Sequence, residues 1–312
     1  MAAPATSGDS ITAMSAEPAA RVPSSAYLLG LTDGDLDLLA WAGLGEAGAD
    51  AVARLRADED LLERLLGSPE VLDAVFGAED DPDRGPLVRA SPFLVFAVAM
   101  QRTLQELGDV RYVPEWIGPR QRIPVLEDGS LRAFFVERDR RLFLVELLSS
   151  YTRVVSGSTW RQTPRGRRRQ RFSELDLMRL AGLLDALPEE HHAGVHRRLG
   201  DLSLFLSGVF PDHTAGRLFR PIDLQRLGRA AAVRQGSGET LGEALETHGG
   251  VGLLEVLGSR WYRLAAGALA PTSVAAVRLG GIADRFVQAR RALNLITDRH
   301  LFPVRGGWLP AP

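Results

Sequence analysis

A mainly α-helical protein, a multi-helix bundle with an acidic helical N-terminal region and at most one short β-hairpin near residues 110–126, is what this sequence predicts. Three observations carry the prediction. Apolar side chains recur at steps of three and four along most of the chain, the period of an amphipathic helix. Capping residues stand just ahead of those runs. One segment, VRYVPEWIGPRQRIPVL (110–126), breaks the helical period with valines, isoleucines, aromatics and prolines.

Taken in order, residues 1–25 read as a disordered tail, since they hold acids and prolines and lack the basic start and apolar core of a signal peptide. The acidic helical region spans 26–86. There Asp33 or Asp35, Asp58 and Ser68-Pro69 are helix starts, because a short oxygen acceptor caps free N–H groups and proline tolerates the first turn. The charged, proline-broken GAEDDPDRGP (77–86) marks its boundary.

The central helical region covers 87–160. Ser91-Pro92 opens a helix running to about Leu107, and 130–155 returns to helical periodicity on Phe135, Leu142, Val145 and Leu147 or Leu148. Between them the prolines of 110–126 argue for extended edge strands, a short hairpin turning at IGPRQR. Residues 161–172 form a basic loop.

The C-terminal helical bundle is 173–302. Ser173 and Asp176 resemble a capping box. Val195, Leu199, Leu202, Leu206 and Val209 make one buried stripe ending near Phe210-Pro211, and Ala275, Leu279, Ile282, Phe286, Ala289, Leu293 and Ile296 make another, read as a single long core helix. A proline- and glycine-rich tail, 303–312, carries Trp308.

Composition narrows the function. At 312 residues the chain can bury one large core or two closely packed ones. With no cysteine it has no disulfide, thiol nucleophile or thiolate metal site. The longest strongly apolar run, FLVFAVAM (93–100), falls far short of the roughly 20 residues that cross a bilayer. A cytoplasmic protein without membrane contact is expected. All 37 basic side chains are arginine, and a chain without lysine has no Gly-Lys-Ser or Gly-Lys-Thr phosphate loop. Residues 1–86 hold 17 acids against 5 arginines, a net of −12, and since the whole chain carries −2 the remainder carries +10. Such asymmetry reflects either a basic binding surface or an acidic region packed against a basic one.

Two sets of residues are candidates for chemistry. In WRQTPRGRRRQRF (160–172), Arg161, Arg165, Arg167, Arg168, Arg169 and Arg171 could contact phosphates, and Trp160, Tyr151 and Phe172 could stack on unpaired bases; the alternative is a solvated loop whose aromatics anchor its ends. In PEEHHAGVHRRLGD, Glu189, His192 and His196 share one helical face at i, i+3 and i+7, a partial metal-ligand pattern that first-turn dipole and capping roles also explain. DLQRLGRAAAVRQGSGETLGEALETHG (223–249) has a helix-turn-helix outline, but Glu239, Glu243 and Glu246 on its second helix would repel phosphates. Gly236, Gly238 and Gly242 miss the dinucleotide fingerprint by one residue and lack a preceding strand. Ser207-Gly208 lacks a nucleophile elbow. Trp261, Tyr262 and Arg263 read as half-buried where helices meet, or as a pocket wall. With no complete catalytic constellation, the expectation is a non-enzymatic interaction or regulatory protein with a protein partner and no cofactor. Nucleic-acid binding through 161–171 is the first alternative, and a metal-dependent helical-bundle enzyme the second.

Overall fold

The computed structural model describes residues 26–77, 90–118, 121–153, 156–163, 166–173, 175–216, 219–232 and 241–301. The two tails, most of the 77–86 linker, Arg165, Gly236, Gly238, Glu239 and Trp308 lie outside them. Helices dominate, as expected, and the described part of the acidic region holds five short α-helices, α1 (Ala26–Gly30), α2 (Asp33–Leu39), α3 (Ala49–Ala57), α4 (Glu59–Leu66) and α5 (Pro69–Phe76), with a π-helical turn at Ala40–Leu44. Asp58 and Ser68 cap α4 and α5 through their side-chain oxygens. The cap of α2 is Thr32, with Asp35 closing a capping box. Asp35 is fully buried, and its two oxygens accept from Thr32 N at 2.8 Å and Ser91 N at 2.7 Å, so one satisfied carboxylate ties two helix starts together.

Ser91 caps α6 (Pro92–Glu106), which packs on α4 and α5 on one side and on α8 (Arg138–Ser150) on the other. Here the acidic region meets basic partners. Glu59 pairs with Arg138, Glu63 pairs with Arg141, and Gln101 Nε2 donates to Glu63 at 3.0 Å. Arg138 also lies over the ring of Tyr27, whose hydroxyl burial pushes up to about 12. Part of the charge asymmetry is therefore spent inside the molecule.

Between α6 and α8 stand the expected hairpin, β1 (Tyr112–Gly118) with β2 (Gln121–Leu126), antiparallel with Val113 opposite Val125 and Glu115 opposite Ile123, and α7 (Ser130–Val136). Two polar anchors hold this hairpin. Trp116 Nε1 donates to Asp212 at 2.9 Å, and Arg122, stacked 4.5 Å over the same indole, donates to the other Asp212 oxygen at 2.7 Å. On the next residue, Glu115 pairs with Arg290 at 2.5 Å and with Arg291.

The basic segment differs from its reading as a loop. It pairs as a second antiparallel hairpin, β3 (Ser156–Thr163) with β4 (Gly166–Ser173). Ser173 therefore ends a strand, and Asp176 alone caps the short α9 (Leu177–Ala181). The bundle continues with α10 (His192–Val209), α11 (Pro211–Ala215), α12 (Pro221–Ala230), α13 (Leu241–Gly267), α14 (Val274–Asp284) and α15 (Phe286–Ile296). Gly249, at φ 65° and ψ −167°, interrupts α13 in a conformation that side chains disfavour. The last helix, read as one, breaks at Arg285, which leaves the helical region at φ −124° and ψ 33°. The phase of its stripe survives the break. Leu279 and Ile282 before it and Phe286, Ala289, Leu293 and Ile296 after it are buried, whereas Ala275 is exposed.

The five stripe residues of α10 are all buried, and this helix packs against α13 and α15 at the heart of one contiguous apolar cluster reaching from Tyr27 to Ile296. Gly200 permits a close approach of α13: a Cβ there would stand 2.6 Å from the Tyr262 ring. Tyr262 is fully buried and its hydroxyl donates to Asp201 at 2.9 Å, so it has nowhere to go. At Gly194 in the same helix a Cβ would meet nothing within 4 Å. One substitution should thus have opposite signs at two sites. Gly194→Ala is expected to stabilise by about 0.5–1 kcal/mol through helix propensity, while at Gly200→Ala an overpacking cost of about 1–3 kcal/mol outweighs that gain. Urea unfolding of both variants measures the difference; equal signs would refute the packing argument.

Candidate nucleic-acid interface

The β3–β4 hairpin holds six arginines and no acid between residues 156 and 173. Its strands are rich in serine, threonine and arginine with one tryptophan, and Gly166 takes φ 110° at the turn, a value that glycine alone adopts without strain. Each strand has eight residues and so spans roughly 27 Å at ~3.4 Å per residue. Cross-strand partners share a face. Trp160 opposite Arg169, Gln162 opposite Arg167 and Ser158 opposite Arg171 therefore place three arginines and the tryptophan on one face of the ribbon. Arg161 opposite Arg168 falls on the other, with Phe172. A signal for this was present in the sequence: Pro-Arg-Gly between two strand-compatible runs is a pattern compatible with a turn. The arginine count masked it, because a charge run ordinarily means a solvated loop.

The third proposed stacking residue is elsewhere. Tyr151 is buried, with its ring stacked 4.1 Å from Phe205 and the Arg198 guanidinium 4.0 Å from its other side. Held between these two side chains within the helical body, it offers no face to a base. β4 packs against α9, which joins the ribbon to the bundle.

The Glu189, His192 and His196 set is not assembled into a ligand cluster. Glu189 lies in a short 3₁₀ turn ahead of α10. His192 Nε2 is 3.0 Å from the Leu187 carbonyl, and the two imidazoles stand edge to face at 6.3 Å. Half-buried His196 is held below the ordinary histidine value by burial, against the opposing pull of its backbone hydrogen bond at Ala230. Among the described residues no group of three or more His, Asp or Glu could hold a metal ion. Ser207 and Gly208 are buried within α10, where Ser207 Oγ donates to the Ser203 carbonyl at 2.7 Å. Trp261 and Tyr262 are buried completely rather than by half, and Arg263 points out to Asp284 at 3.0 Å.

A charged cleft of about 420 Å³ lies between α8 and α10, and sequence reasoning did not find it. Its walls are two helical faces of equal spacing: Phe143, Glu146, Leu147 and Ser150 on α8, and Gly194, Arg197, Arg198 and Asp201 on α10, with Arg153 at the rim. The i, i+3, i+4, i+7 spacing is legible in each helix, but the fact that the two faces oppose one another is tertiary.

At its base, burial pushes the Asp201 carboxyl above its ordinary value of 3.8, against the pull of Arg197, the Tyr262 hydroxyl and Arg198. The folded protein then holds this proton more tightly than the unfolded chain does. Its contribution to stability is present below 3.8 and is lost as pH rises through the folded value. Asp201→Asn removes the charge yet keeps an acceptor for Tyr262, so it should raise stability at neutral pH and flatten that dependence. Urea midpoints across a pH series test this, and a less stable variant at neutral pH contradicts it.

The architecture is thus a mainly α-helical body that carries two antiparallel hairpins, one locked to it by ion pairs and one strongly basic. No described helix is long and apolar enough to cross a membrane. Comparison with protein-family models, with curated proteins and with solved structures finds no match.

Proposed function

We propose that this chain is a cytoplasmic nucleic-acid-binding protein that presents the β3–β4 hairpin to a duplex. One observation carries the reading: five arginines, Arg161, Arg167, Arg168, Arg169 and Arg171, occupy paired positions of a two-stranded antiparallel ribbon in fixed register, with no acid between residues 156 and 173. A two-stranded ribbon is one of the two elements that a major groove admits, the other being a helix. A loop of the same composition has no such geometry. The burial of Tyr151 against Phe205 removes one of the three stackers on which single-strand binding would draw, and that favours a duplex.

The experiment is a salt titration of the full chain on a short duplex DNA, with Arg167→Ala, Arg168→Ala and Arg169→Ala combined as the variant. Counterion release predicts affinity falling steeply with salt, and a log–log slope shallower by roughly 2–3 in the variant. If the variant binds duplex DNA as the parent does, the hairpin is not the interface.

A protein partner is the second reading, supported by Tyr112 and Leu126. These cross-strand neighbours at the open end of β1–β2 are 60% and 63% exposed. Exposed large apolar pairs of this kind mark contact surfaces more often than isolated ones do. Tyr112→Ser with Leu126→Ser would abolish capture of such a partner and leave DNA binding unchanged.

A further inference from the structure

The geometry points to a second site, independent of the hairpin: the cleft between α8 and α10 takes a phosphate-bearing small molecule of about mononucleotide size. Its volume of about 420 Å³ falls within the ~300–1,000 Å³ of small-ligand pockets.

The charges converge on an anion. Arg153 at the rim and Arg197 on α10 are exposed, and neither has an ion-pair partner among the described residues. Arg198 is already oriented, stacked on Tyr151 and donating to Ser150 Oγ at 2.9 Å, so little side-chain freedom is lost when it meets a ligand. Of the two acids in the cleft, Glu146 pairs with Arg278 at 2.9 Å, and Asp201 accepts from the Tyr262 hydroxyl and lies 3.8 Å from Arg198, so Arg153 and Arg197 carry the charge left for a ligand. Three guanidinium groups around one space suit the tetrahedral oxygens of a phosphate, which planar forked donors bind two at a time. Phe143 and Leu147 supply an apolar wall for the rest of the molecule. The cleft stays open partly because residue 194 is glycine, with nothing within 4 Å of where its Cβ would be.

Phosphate could come from a free nucleotide or from the backbone of DNA held by the neighbouring hairpin, and calorimetry on the full chain separates the sources. The probes are inorganic phosphate, adenosine monophosphate, adenosine and a short DNA duplex. Expected is binding of adenosine monophosphate, weaker binding of phosphate and none of adenosine. Arg153→Ala with Arg197→Ala should weaken adenosine monophosphate by about tenfold or more. Gly194→Leu, which keeps every charge, favours the helix and fills the space, should weaken it comparably, and this guards against misfolding as the cause. The hairpin triple variant should bind adenosine monophosphate as the parent does. No binding of the mononucleotide at millimolar concentration overturns the site, as does binding that survives both cleft variants. If only the duplex responds to the cleft substitutions, the phosphate belongs to the nucleic-acid backbone and the small-molecule assignment fails.

Discussion

Replacing Arg290 with alanine is expected to cost about 3 kcal/mol of stability, the lower end of the range for breaking a buried ion pair from one side. Arg290 is 2% exposed. Its guanidinium pairs with Glu255 on α13 and Glu115 on β1, and donates to Asn294 Oδ1 at 2.7 Å. Asn294 in turn donates to the Gly208 carbonyl at 2.5 Å, so one cation joins α15, α13, α10 and the first hairpin. Burial alone would lower the Arg290 pKa, but Glu255 and Glu115 outweigh it and the net shift is upward.

Removing the cation leaves Glu255 uncompensated in a mostly buried position, whereas Glu115 keeps Arg291. The lower figure follows from that remaining partner and from the partial solvent access of both carboxylates. Thermal unfolding should show a Tm drop on the order of 10 °C, and hydrogen exchange should quicken first in residues 112–126. Arg290→Met combined with Glu255→Gln should recover much of the loss, because replacing both partners leaves no stranded charge. A loss below about 1 kcal/mol for Arg290→Ala would show that the network is not what holds the hairpin down.

The second large effect concerns the ribbon's two faces. Arg167→Thr, Arg169→Thr and Arg171→Thr together remove the arginines of the face that carries Trp160, while threonine keeps the strand propensity. Duplex affinity at low salt should fall by about a hundredfold or more, and the salt slope should lose nearly one unit per arginine, so roughly three. Arg161→Thr with Arg168→Thr, on the opposite face, should cost clearly less per arginine removed. The comparison is specific to the register. A flexible basic loop would weaken in proportion to the number of charges removed, whichever residues were chosen, so a loss that tracks charge count alone would remove the ribbon from the mechanism.

Much of the fold was legible because helix formation is local. Asp58, Ser68 and Ser91 cap where the sequence placed them, and the stripes of α10 and of α14–α15 are buried at nearly every position read. The first hairpin was legible for the same reason, since its prolines and β-branched residues interrupt the helical period. The second was not. Arginine is compatible with both strand and loop, and what decides between them is a partner strand that no single residue announces.

The candidate sites divide along the same line. The sequence alone determined the helical class, the starts of α4, α5 and α6, the separation of acidic from basic residues, and the absence of thiol chemistry. Only the tertiary structure decided that Glu63 would spend its charge on Arg141, that Tyr151 would lie under Arg198, and that two faces of like spacing on α8 and α10 would enclose a cleft. The reason is range. Hydrogen bonds within a helix or turn join residues three or four apart, whereas the pairings that build a site here join Glu115 to Arg290 and Trp116 to Asp212, and these depend on how whole helices pack.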